Sequence, residues 1–180
     1  MNVIFLDNDG VLCLEKQYGT RFVTGNIWDD MDPDAVNRLN QICHSTGAKI
    51  VVTSTWRNFG TFDGLKAHYS SQGISEVPIG MTRQYKELVT EEHPELTGWR
   101  IISQSPAIDR AVEIRDYLAN NPGISQYLII DDIDMRSTCK YLDSVLFNES
   151  NCIVTKEQSG LTDKLMRRCI ELFNDNHLVS

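Results

Sequence analysis

Three short apolar runs, Asn2 to Leu6, Lys49 to Val52 and Tyr127 to Ile130, each stop at residues that carry side-chain oxygen. The first is followed by Asp7-Asn8-Asp9-Gly10, the second by Thr53-Ser54-Thr55-Trp56-Arg57 and the third by Asp131-Asp132. Continuous apolar runs of this length read as strands covered on both faces rather than as one-sided strands. Helix-like segments lie between them. This alternation predicts an α/β fold, a doubly wound and mostly parallel sheet, in which the working residues collect at the carboxyl ends of the strands.

The helical segments carry their own stop and start signals. Asp32-Pro33 reads as a cap with proline at the first helical position, and Ala35, Val36, Leu39, Ile42 and Cys43 recur at helical spacing up to Gly47. Phe62 to Ser71 reads as a helix closed near Gly73, and Ala107 to Asn120 as another, stopped by Asn121-Pro122-Gly123. Further helices are expected around Met135 to Leu142 and from Leu161 to Phe173, with additional strand material at Val77 to Gly80, Val145 to Phe147 and Cys152 to Thr155. With 180 residues and no repeat or linker, the chain is expected to form one domain over residues 1–180.

Composition excludes several classes of function. No apolar run is long enough to span a membrane, and acids at Asp7 and Asp9 interrupt what a signal peptide would need as an apolar core, so a soluble cytoplasmic protein is expected. A formal net charge of -8 and a pI near 4.9 repel polyanions on average, which argues against avid non-specific nucleic-acid binding. The five cysteines are scattered without a C-x-x-C pair, and the four histidines have no ligand spacing; both sets read as structural or idle. The acids Asp29, Asp30, Asp32 and Asp34 read as partners of the following helix's positive N-terminal end.

If the sheet is parallel, its strand ends bring at least four carboxylates into a small volume, where repulsion and desolvation require a cation. An oxygen-only ligand set of Asp7, Asp9, Asp131 and Asp132 suits Mg2+ better than zinc or copper. A carboxylate beside such an ion can attack phosphorus, and a second carboxyl two residues on can protonate the leaving oxygen. Asp7 and Asp9 fit those two roles. Thr53 or Ser54 can donate to a phosphoryl oxygen, and Arg110 or Arg57 can balance transition-state charge.

These residues resemble the haloacid dehalogenase (HAD) superfamily. Val3 to Leu12 is similar to its first motif, Thr53 to the second, Arg110 to the third and Asp131-Asp132 to the fourth, in the family's order. The S-T-W-R segment, Arg110 with Glu113-Ile114, and Ser159-Gly160-Leu161-Thr162 resemble the HAD domains of Swiss army knife RNA-repair proteins. The resemblance implies a phosphatase with Asp7 as nucleophile and Asp9 as general acid/base. It also implies magnesium on the Asp7 side chain, the Asp9 backbone carbonyl and Asp131 or Asp132. The family's caps are inserted after the first motif or between the second and third; here Cys13 to Asp32 supplies only a flap, and a small lid fits around 82–104. Such a minimally capped site suits, by family analogy, a large substrate such as a nucleic-acid end or a phosphoprotein, and the S-T-W-R and G-L-T features narrow this to a nucleotide or a phosphorylated nucleic-acid end. The alternatives are a non-catalytic binding module of the same fold and a phosphotransferase to an acceptor other than water.

Overall fold

The structure is a computed structural model and describes residues 1–88, 105–139 and 146–175. Five strands, β1 (Asn2–Leu6), β2 (Lys49–Val52), β3 (Gly80–Met81), β4 (Gln126–Asp131) and β5 (Cys152–Val154), form one sheet in the order β3-β2-β1-β4-β5. All of the pairings are parallel. The chain therefore winds outward from β1 to one edge and then returns to wind outward to the other. That crossover sets β1, with its acidic end, at the centre of the sheet.

Alternation along each strand explains why the apolar runs are continuous. Ile4 and Leu6 of β1, Ile50 and Val52 of β2, and Leu128 and Ile130 of β4 join the core on one face. Val3, Phe5, Val51 and Ile129, the residues between them, join the core on the other. The first core is closed by α2 (Pro33–Thr46), α3 (Phe62–Ser71) and α7 (Asp163–Asp175), through residues such as Leu39, Leu65 and Phe173. The second is closed by α5 (Pro106–Asn120) and by Met135 at the start of α6 (Met135–Cys139). Two short helices, α1 (Thr20–Thr24) and α4 (Tyr85–Leu88), complete the set among the described residues. None of these helices is long and apolar enough to cross a membrane.

Several expected boundaries move for local reasons. The edge strand β3 is Gly80–Met81 rather than Val77 to Gly80, because Pro78 has no N–H to pair and regular bonding to β2 starts only at Ile79. Leu146 and Phe147 lie in a turn, not a strand: Cys152 N donates to Asn148 O at 2.9 Å, and the place beside β4 is taken by β5. The last helix begins at Asp163 instead of Leu161, since Leu161 N is drawn to Val11 O at 3.0 Å. Asp32 caps α2 by accepting from Asp34 N and Ala35 N, but Asp29 faces the flap helix α1, accepting from Arg21 N at 2.9 Å. Of the lid expected around 82–104, only 82–88 falls within the described residues. The expected helix end at Leu142 lies outside them, as does Val145.

Gly160 ties the β5–α7 connection to the loop after β1. Its φ is +54°, and a Cβ there would sit 2.5 Å from the Val11 carbonyl oxygen. Both strain and overlap oppose any side chain. Gly160→Ala is expected to lower the free energy of unfolding by about 1–3 kcal/mol, read from urea denaturation. Wild-type stability in that variant would mean the loop does not seat on Val11.

Candidate active site

Ladder hydrogen bonding continues one residue past the strands and lines up a row of polar side chains. Asp7 N donates to Ile130 O, Thr53 N to Leu6 O, Thr82 N to Val52 O and Thr155 N to Asp131 O, all at 2.9–3.0 Å. Asp7, Thr53, Thr82, Asp131 and Thr155 thus stand at the carboxyl ends of the five strands, and all five are buried. The first-strand loop is then folded by one residue. The Asn8 carbonyl accepts from Val11 N, Leu12 N and Cys13 N, while its side-chain oxygen accepts from the Tyr69 hydroxyl. Gly10 turns the chain at φ +69°, and a Cβ there would lie 2.8 Å from the Asp132 carboxylate, so glycine lets the two acidic loops meet.

Three of the four carboxylates expected to converge do so. One oxygen each from Asp7, Asp131 and Asp132 falls within 4.8 Å of the others. The Asp9 carboxylate is outside that triple and accepts from the Trp56 indole N–H at 3.0 Å. Arg110, at the second turn of α5, is buried and its Nη1 lies 2.6 Å from Asp131 Oδ2 and 3.4 Å from Asp7 Oδ2. Burial alone would depress the guanidinium's pKa, but the charges of Asp7 and then Asp131 outweigh it and hold it above its ordinary value.

The remaining carboxyls are under-neutralised in the protein alone. Burial, with the Asp7 charge next, pushes Asp9 up to about 6 against the lowering effect of the Trp56 bond. Burial also raises Asp132, again with Asp7 as the next cause, and raises Asp131 in spite of Arg110. Three converging acidic oxygens with one bonded guanidinium form a hard, anionic oxygen set that fits a divalent cation. The hydroxyl of Thr53 fits the companion role, because it is fully buried and bonded to no group among the described residues.

Arg57 is placed differently from Arg110. Its Nη2 donates to Glu113 Oε2 at 2.6 Å, and its Nη1 donates to the Thr53 and Ser54 carbonyls. Ser54 Oγ in turn accepts from Trp56 N, capping the turn Thr55–Asn58. Burial lowers the Arg57 pKa and raises that of Glu113, each opposed by the charge of the other. Glu113 also accepts Tyr85 N at 2.8 Å and stands 4.0 Å from Arg110 Nε. It therefore connects Arg57, Arg110 and α4.

Three contacts were not assigned from the sequence: the Trp56 bond to Asp9, Glu113 as the common partner of two arginines, and Thr155 Oγ1 donating to the Gly10 carbonyl at 2.7 Å. The i, i+3 spacing of Arg110 and Glu113 on one helix face was the available signal for the second. Asp134 is a local cap, accepting from Arg136 N, and not part of the acidic cluster. His68 is structural, buried with Nε2 against Asp29 O, and Cys13, Cys43, Cys152 and Cys169 are buried and form no disulfide among the described residues.

Removing Glu113 leaves Arg57 buried without its countercharge. Glu113→Ala is expected to cost about 3–5 kcal/mol of stability, and Glu113→Gln clearly less because an amide oxygen still accepts the hydrogen bond. Chemical denaturation of the two variants checks the order; equal losses would mean that the retained hydrogen bond contributes nothing and the lost charge carries the whole cost.

Among known protein families, the model for the HAD domain in Swiss Army Knife RNA repair proteins matches residues 3–166. No curated protein and no solved structure matches the chain.

Proposed function

The chain belongs to the family of HAD domains in Swiss Army Knife RNA repair proteins, and on that premise we propose that it is a magnesium-dependent phosphomonoester hydrolase working through an aspartyl-phosphate. The observation that carries this reading is the convergence of Asp7, Asp131 and Asp132 oxygens within 4.8 Å, with Arg110 bonded among them.

In this mechanism Asp7 Oδ attacks phosphorus while the leaving oxygen departs on the side of Asp9. The Asp9 carboxyl, held by the Trp56 N–H, gives its proton to that oxygen and then takes one from the water that cleaves the acyl phosphate. Thr53 Oγ1 donates to a phosphoryl oxygen, with Ser54 beside it in sequence. Arg110 fixes the Asp7 carboxylate and opposes the negative charge of the phosphoryl group. Arg57 acts at one remove, through Glu113 and the Thr53 and Ser54 carbonyls. Magnesium on the Asp7 and Asp131 or Asp132 carboxylates and the Asp9 backbone carbonyl would screen phosphate charge from the attacking carboxylate.

The family's association with RNA repair and the short flap at residues 13–32 favour a nucleotide or a phosphorylated nucleic-acid end as substrate. The net charge of -8 disfavours avid contact along a long strand and so favours recognition of the end.

Asp7→Asn is expected to abolish phosphate release from an aryl phosphate, and Asp9→Asn to slow it by about 10²–10⁴-fold. Chelation should stop the wild-type reaction and magnesium restore it. Full activity in purified Asp7→Asn protein would overturn the nucleophile assignment. An aluminium fluoride adduct trapped at Asp7 separates an enzyme from a binding module, and product analysis with added alcohols separates hydrolysis from transfer.

A further inference from the structure

A cavity opens at Asp9 whose lining includes none of Asp7, Asp131 and Asp132. It has a volume of about 450 Å³ and is lined by Asp9, Tyr18, Arg21, Asp29, Trp56 and Phe59, among others. Its walls come from two separate segments, the flap after β1 and the turn after β2. Trp56 is buried and committed to Asp9. Tyr18 and Phe59 are exposed large aromatic residues, at 42% and 50%. Arg21 lies 4.9 Å over the Phe22 ring and adds a cation to the flap side.

Position gives this cavity its meaning. An in-line displacement places the leaving group on the far side of phosphorus from Asp7, next to the acid that protonates it. That acid is Asp9, and this cleft reaches it. The chemistry of the lining is mixed: two open aromatic rings offer flat apolar faces, while the Tyr18 hydroxyl and the Arg21 guanidinium offer polar contacts, the Asp29 carboxylate being held by Arg21 N and Thr20 Oγ1. An alkyl leaving group would leave the polar groups unmatched, and a bare polyol would leave the rings uncovered. A heteroaromatic base satisfies both, with its face on a ring and its edge on polar groups. Burial first, and then the charges of Glu157 and Asp9, push the Tyr18 phenol up to about 12, so it meets such a ligand as a neutral donor.

We infer that this cleft is a leaving-group subsite in which Tyr18 and Phe59 stack the base of the phosphate-bearing nucleotide. The inference rests on the phosphatase reading and adds the part of the substrate that is recognised. The base of a free mononucleotide and that of a terminal nucleotide offer the same chemistry to the cleft.

The test measures kcat/KM for wild type, Tyr18→Ala, Phe59→Ala and Phe59→Trp. The substrates are 3′- and 5′-mononucleotides, phosphorylated oligonucleotides with a normal or an abasic terminal residue, and glycerol phosphate. The wild type should prefer base-bearing over abasic ends. The preference for base-bearing substrate over glycerol phosphate should fall by about 10-fold in each alanine variant and be retained in Phe59→Trp, as loss of one stacking contact implies. Mononucleotide against oligonucleotide turnover tells which source is used. Equal losses on all substrates, or no wild-type preference for a base, would overturn the inference. Equilibrium binding of a mononucleotide to Asp7→Asn, with and without Phe59→Ala, separates the two readings. If the wild type hydrolyses nothing yet binding still weakens with Phe59→Ala, the hydrolytic reading fails and the subsite stands. If binding is indifferent to Phe59, the subsite fails.

Discussion

Arg110 holds together two strand ends that would otherwise repel one another. Asp7 ends the central strand and Asp131 closes its neighbour β4, and the backbone bond from Asp7 N to Ile130 O brings them close by construction. Two buried carboxylates at that separation are unfavourable unless a cation lies between them. The guanidinium at 2.6 and 3.4 Å supplies it from α5, a helix on one face of the sheet. The sheet's register, the packing of α5 and the orientation of the proposed nucleophile are therefore one electrostatic problem with one solution.

The surroundings protect that solution. Glu113, one turn along the same helix, pairs with Arg57 and so couples α5 to the turn after β2. Arg57 in turn binds the carbonyls of Thr53 and Ser54, keeping the second strand end in place while the Thr53 hydroxyl has no partner among the described residues. On the other side, Thr155 holds the Gly10 carbonyl and Leu161 the Val11 carbonyl, so the last strand and the connection to the last helix clamp the first loop. Each strand end thus contributes either a group left available for chemistry or a group that fixes one.

Much of this was legible in the residues. Strand β1, β2 and the span of α3 fall where the apolar runs and spacing put them, because burial on both faces demands uninterrupted apolar side chains. The convergence of Asp7, Asp131 and Asp132 also follows from order in the chain once the strands are parallel. What was not legible depends on approach between distant segments. Trp56 reads equally well as a packed ring, and only the seating of its turn beside the first loop, 47 residues away, gives its N–H to Asp9. The edge strand β5 falls within a residue of the expected Cys152 to Thr155, whereas β3 is shifted from Val77 to Gly80, since its pairing is decided by β2 and by Pro78 rather than by its own apolarity.

The division between Arg57 and Arg110 marks the limit. From composition and spacing alone, the chain determined an α/β sheet with acids and hydroxyls along one edge and two arginines able to serve them, because strand periodicity and residue chemistry are local properties. Tertiary structure decided which arginine touches Asp7 and which is held by Glu113, and it decided which cleft opens at Asp9. Those outcomes depend on the rotation of α5 against the sheet and the fold of the flap, which are set by the packing of the whole core.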